Sequence, residues 1–126
     1  MPPSPLKPAT KKLKAERDGR WAEELAAWFL RAQFYSIRAK RYKTPVGEID
    51  LIASRFGTTV FVEVKARTLA TSEGEALQAV NSQRIVRAAQ YFLTRHPHLA
   101  DTSLRFDVIF LAPRRLPRHV RNAFSA

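Results

Sequence analysis

Cysteine is absent from the 126 residues, which removes disulfide scaffolds, thiolate chemistry and every Cys-based zinc site. Glycine is nearly as scarce. Its four copies, Gly19, Gly47, Gly57 and Gly74, stand far apart, so no glycine-rich phosphate cradle exists and NTP motors and dinucleotide enzymes are disfavoured. No Gly-x-Ser-x-Gly nucleophile elbow is present either. No apolar run approaches the roughly 18 residues of a membrane span. The opening Met1-Pro-Pro-Ser-Pro-Leu-Lys-Pro lacks the apolar stretch of a secretory signal, so a cytoplasmic protein without a membrane partner is expected. Acid is the scarcer charge: 11 Asp and Glu face 22 Lys and Arg, a net +11. That imbalance points to a polyanionic partner, nucleic acid before an anionic membrane surface. No segment joins a strong apolar face to a cationic one, which disfavours a membrane-surface adaptor.

What is present suits one domain with a modest core. Residues 1–15 hold four of the eight prolines and no acid, and read as a basic, mobile tail; residues 16–126 read as a single domain. A helix is expected over Glu16–Gln33, with Ala22, Leu25, Ala26, Phe29 and Leu30 as its apolar stripe. Strands follow over Phe34–Tyr42, Glu48–Ser54 and Thr58–Arg67, the last being the strongest by its β-branched alternation. Ser72 and Glu75 have the spacing of a capping box for a second helical region. That region breaks near Asn81 and continues through Ile85, Ala88, Ala89, Phe92 and Leu93. Leu104–Ala112 is a last core strand, and Arg114–Arg121 a short basic end. The order predicts an α/β fold, a mixed sheet flanked by helices.

In a chain this basic the acids are the informative minority. Glu48 and Asp50 share a strand face, as do Glu63 and Lys65 on the next strand. Counting outward from the Phe56-Gly57 turn brings Asp50 and Glu63 together as cross-strand neighbours. Two facing carboxylates repel unless a cation sits between them, and magnesium, which takes oxygen ligands and keeps its waters, is the natural candidate. Lys65 would then stand beside the ion, placed to orient an attacking water and offset charge on a phosphate. The plain alternative is a same-face Glu63–Lys65 ion pair worth under about 1 kcal/mol.

The stretches Gly47-Glu48-Ile49-Asp50-Leu51-Ile52-Ala53 and Val60-Phe61-Val62-Glu63-Val64-Lys65-Ala66-Arg67 resemble the YraN-like family of small bacterial proteins. That family sits within the PD-(D/E)XK restriction-endonuclease-like superfamily, near the archaeal Holliday-junction resolvases. The likeness runs from about Gly19 to Phe124. It implies a restriction-endonuclease-like αβββαβ core, a bound Mg2+ or Mn2+, and phosphodiester hydrolysis. It implies Asp50 and Glu63 as metal-binding acids and Lys65 as the catalytic lysine. Gly19-Arg20-Trp21-Ala22-Glu23 matches the first-helix motif and makes Glu23 an accessory carboxylate, whereas Glu24 has Arg20 four residues earlier as a helical ion-pair partner. Glu48 belongs to the Gly-Glu-x-Asp motif in a supporting role, and Gly47 serves the turn. One departure stands out: relatives often carry Lys-Gln where this chain has Asn81-Ser82-Gln83-Arg84, so Gln83 or Arg84 would have to stand in. Resemblance to resolvases also implies a homodimer.

Further candidates for nucleic-acid contact are Arg67 and the basic end of Arg114, Arg115 and Arg118, the latter read equally as a solubility patch. Trp21 and Trp28, seven apart, read as packing residues, and His96, His98 and His119 as helix-end or surface residues. An exposed Tyr42 or Phe56 would instead offer a ring to DNA. The leading expectation is a metal-dependent DNA endonuclease acting on branched or repair intermediates. The rival is a non-catalytic nucleic-acid-binding module with the same fold.

Overall fold

A computed structural model describes residues 8–66, 77 and 80–126, with side chains from residue 20 onward. Arg67 and the Ser72–Glu75 capping box lie outside the described residues. Helix α1 spans Pro8–Ala32 and starts well before Glu16, because proline at a first helical position gives up no needed hydrogen bond. Residues 8–15 of the expected tail are therefore helical, and residues 1–7 lie outside the described residues. The helix ends in a Schellman turn: Tyr35 N–H reaches Leu30 O at 3.1 Å, Phe34 N–H reaches Arg31 O at 2.9 Å, and Phe34 is left-handed at φ 70.

Strands β1 (Ser36–Thr44), β2 (Gly47–Arg55) and β3 (Thr58–Ala66) form an antiparallel meander. Helix α2 (Ser82–Arg95) and a 3-10 turn at Pro97–Leu99 lead to β4 (Ser103–Leu111), which pairs parallel to β3. The chain closes with β5 (Arg118–Phe124), antiparallel to β4, giving a five-stranded mixed sheet in sequence order. This fifth strand falls where the sequence shows a short basic end, because Arg118 and Arg121 interrupt the half-buried His119, Val120, Ala123 and Phe124.

Each face of the sheet takes one helix. Ala26, Ala27 and Leu30 of α1 pack on Leu51, Ala53, Val60, Val62 and Ile109. Ile85, Ala88, Ala89 and Phe92 of α2, at helical spacing, pack on Ile49, Ile52, Phe61 and Phe106. Trp21, Leu25 and Trp28 are not in the core: they stand on the outer side of α1, Trp21 66% and Trp28 65% exposed.

β1 and β2 are kinked together. Ala39 and Tyr42 both belong to the α2-side core although three residues apart, and so do Ile49 and Ile52 opposite them. A regular strand alternates faces at every residue and cannot do this. Between those pairs lie Arg41, at φ 50, and Asp50. Both residues line one cleft.

Candidate active site

β3 is buried on both faces from Thr59 to Val62 and becomes half-exposed from Glu63 onward. At that end a cleft of about 370 Å³ is lined by Glu23, Arg41, Glu48, Asp50, Glu63, Lys65, Asn81, Arg84 and Ile85. The β2–β3 ladder ends with Leu51 opposite Val62, one step short of Asp50 and Glu63. Asp50 Oδ2 accepts the Val64 N–H at 2.8 Å, and Lys65 Nζ stands 3.7 Å from Glu63 Oε1.

Burial and the neighbouring Asp50 charge push Glu63 up to about 8, with Lys65 pulling the other way. Asp50 is also raised, chiefly by burial, although the Val64 N–H opposes the shift. The two carboxyls are close enough to interact, so the pair holds a proton more tightly than isolated acids do. Glu23 is raised too, by burial and then by Asp50, while Arg41 draws it down.

Arg41 was not singled out in the sequence and is the most informative addition. Its Nε lies 3.3 Å from Glu23 Oε2 and 3.7 Å from Glu48 Oε1, which ties α1 to the β1–β2 turn across the cleft. A signal for it existed: Thr44 pairs with Gly47, and counting back from that turn sets Arg41 across from Asp50. The structure thus gives Glu23 a partner that helical spacing could not reveal. Glu24 pairs with Lys40 at 2.6 Å rather than with Arg20.

The start of α2 supplies the far wall. Asn81 Oδ1 caps the helix by accepting the Arg84 N–H at 3.2 Å. Gly47 makes room for this helix: a Cβ there would lie 2.9 Å from Arg84 Cγ and 3.2 Å from Arg84 O. Its lack of a side chain serves this close approach as well as the turn. Arg84 therefore lines the cleft, whereas Gln83 faces a separate groove with Arg87 and Ser125. Gln83 lies outside the cleft, about 100° around the helix from Arg84.

Arg114, Arg115 and Arg118 do not line the cleft. They lie in or beside the β4–β5 connection, which leaves the sheet just past the Lys65–Phe110 and Ala66–Leu111 pairs, at the same end as the cleft. His119 is not a surface residue. Its Nε2 lies 2.6 Å from Oδ2 of fully buried Asp107, which also takes two 2.8 Å bonds from Arg105 and the Asn122 N–H at 3.0 Å. Among the described residues no three His, Asp or Glu side chains converge as a ready-made metal cage. Asp50 and Glu63 form a two-carboxylate site flanked by ion-paired acids.

A mixed sheet between two helices, with acids and a lysine where its strands emerge into a basic surround, defines a small α/β protein built on a carboxylate–lysine cleft. The chain belongs to the uncharacterised protein family UPF0102, whose profile matches residues 22–111. It is 47% identical over 124 residues to a UPF0102 protein of Rhodopseudomonas palustris (strain BisA53), covering 98% of this chain and 95% of the relative. It is 49% identical over 125 residues to one from Bradyrhizobium sp. (strain ORS 278), covering 98% and 89%. A UPF0102 protein of Parvibaculum lavamentivorans is 48% identical over 112 residues, covering 89% and 84%. Among the described residues no helix is long and apolar enough to cross a membrane.

Proposed function

We propose that this protein is a divalent-metal-dependent endodeoxyribonuclease that hydrolyses phosphodiester bonds in the Asp50–Glu63–Lys65 cleft, on branched or repair intermediates of DNA. The observation that carries the reading is the meeting of Asp50 and Glu63, two carboxyls both raised chiefly by burial, Glu63 further by the Asp50 charge, with Lys65 3.7 Å from Glu63. Perturbed titratable groups clustered in a cleft are a mark of chemistry rather than of packing.

The donor set suits Mg2+ or Mn2+. These hard cations take one or two carboxylates together with waters and substrate phosphate oxygens, which is what Asp50 and Glu63 offer. When bound, such an ion supplies Lewis-acid polarisation of the phosphate and a lowered pKa for water.

The chain's own residues do the rest. Val64 fixes Asp50 by its N–H, so one carboxylate oxygen keeps its place on the strand beside Glu63. Lys65 orients a water in line with the scissile phosphate and offsets the negative charge that grows on its oxygens. Arg84 gives a cation for a neighbouring phosphate. Arg41 holds Glu23 and Glu48 at the cleft margin. The net +11 draws the polyanion in.

The test is incubation of the protein with labelled four-way-junction, flap, single-stranded and duplex DNA in magnesium, manganese or EDTA, beside Glu63→Ala and Lys65→Ala. Metal-dependent cleavage lost in both variants is expected, and sedimentation velocity on the same samples reads the expected homodimer. Binding without cleavage by any form would leave the rival, a non-catalytic nucleic-acid-binding module.

A further inference from the structure

Two phenylalanines stand where local backbone energetics argue against them. Phe34 holds the left-handed closing position of α1 at φ 70, and Phe56 opens the β2–β3 turn at φ 49, ahead of Gly57 at φ 76. Arg55 and Thr58 close this turn as a pair, which makes it a two-residue hairpin with both central residues left-handed. Glycine or asparagine is the low-cost residue at both sites, and a side chain with a bulky Cβ substituent is held there at a cost. Burial does not repay it: Phe34 is 81% exposed and Phe56 88%.

Phe34 and Phe56 line one groove of about 290 Å³, together with Arg38, Arg55, Ser36 and Ser54, and among the described residues no carboxylate lines it. Arg55 donates to Gln33 O at 2.9 Å, and its guanidinium lies 4.2 Å from the Tyr35 ring centroid and 5.5 Å from that of Phe56. Arg38 Nε donates to Ser54 Oγ at 2.8 Å. The groove therefore pairs two outward aromatic faces with two positioned guanidiniums. Bases stack on aromatic rings regardless of sequence, and a backbone phosphate is met by arginine.

We propose that this groove binds unpaired nucleobases of a single-stranded nucleic-acid segment, stacked on Phe34 and Phe56 with Arg38 and Arg55 on its phosphates. The proposal rests on the nucleic-acid reading above and adds a second contact, about 20 Å from the carboxylate cleft along six residues of β2. Edge strand β1 joins the two places with exposed Arg38 and Lys43, and with Lys40 paired to Glu24 between them.

The experiment is fluorescence anisotropy with labelled oligothymidine and with a hairpin duplex of matched length, in EDTA, on the full chain. Phe34→Gly combined with Phe56→Asn removes both rings while easing both backbone positions, so the melting temperature should hold or rise. Oligothymidine affinity should fall about 10-fold or more, with duplex affinity within a factor of about two. Unchanged oligothymidine affinity in the double variant overturns the groove and leaves the nuclease reading standing. Duplex binding without oligothymidine binding by the wild type does the same. Wild-type protein that binds neither probe overturns both. A loss of self-association in the double variant, with binding unchanged, assigns the groove to a second copy of the chain instead.

Discussion

The backbone N–H of Val64 donates to Asp50 Oδ2 at 2.8 Å, so the strand that carries Glu63 and Lys65 also fixes the carboxylate opposite them. The site is in this sense a product of strand register. Its chemistry and its stability are therefore coupled, and the coupling can be read in solution.

Glu63 is raised from its ordinary 4.5 to about 8 by burial and by Asp50. A carboxyl that binds its proton more tightly when folded costs the metal-free fold stability as pH climbs through that interval. In EDTA, Glu63→Gln should melt about 3–6 °C above wild type at pH values above about 8, and the gap should close as pH falls toward about 4.5. Mn2+ should raise the wild-type melting temperature and leave the variant unmoved. Equal responses to Mn2+ would contradict a cation held by Glu63.

Arg41 combines a left-handed backbone with two carboxylate partners, and two substitutions separate these roles. Arg41→Gly should be about 1 kcal/mol more stable than Arg41→Ala, since only glycine takes φ 50 without strain. Both should lose about 10–100-fold in cleavage, as expected when a partner that orients site carboxylates is removed. Cleavage at the wild-type rate by Arg41→Gly would assign Arg41 a purely structural part.

Gly47→Ala sets a Cβ against Arg84 Cγ and O, and the strand or the start of α2 must shift. A loss of about 1–3 kcal/mol is expected from this overpacking, read as a lower urea midpoint. A wild-type midpoint would show that α2 yields freely at this contact.

At Asp107 burial raises the pKa, but hydrogen bonds from His119, Arg105 and the Asn122 N–H outweigh it, leaving the group below its ordinary 3.8. Because the folded value is the lower one, this contribution is full above about pH 3.8 and is lost as pH falls through the folded value. Asp107→Ala should cost about 3–5 kcal/mol, since Arg105 and His119 lose their shared partner. Its stability should also fall less than that of wild type in acid, measured by urea unfolding at a series of pH values. Parallel acid profiles would contradict the buried pair as the source.

Much of this arrangement is legible in the residues, and what is not has physical reasons. Asp50, Glu63 and Lys65 are readable because strands have period two and Phe56-Gly57 marks the turn, so facing positions follow by counting. Arg41 escapes because four cations crowd β1 and its left-handed φ has no sequence mark. Gly47 is recognisable as a turn residue, but its contact with Arg84 depends on the packing of α2, which no local pattern encodes. Gln83 and Arg84 are adjacent in the sequence but about 100° apart around the helix, and which of the two meets the cleft depends on how α2 packs. β5 and its half-buried His119 were hidden because Arg118 and Arg121 interrupt the short apolar pattern, and the strand is defined by its pairing with β4. Trp21 and Trp28 mislead for the opposite reason: apolar residues at helical spacing mark a stripe without saying whether anything covers it.

The most direct test is Lys65→Ala, with single-turnover cleavage and DNA affinity measured on the same preparation in Mn2+. Cleavage should fall by about 10²–10³-fold, the loss expected when one charge-stabilising donor is removed. Affinity should change by less than about threefold, because one lost cation among many alters phosphate binding little. Cleavage at the wild-type rate, or rate and affinity falling together, would contradict Lys65 as the group acting on the phosphate.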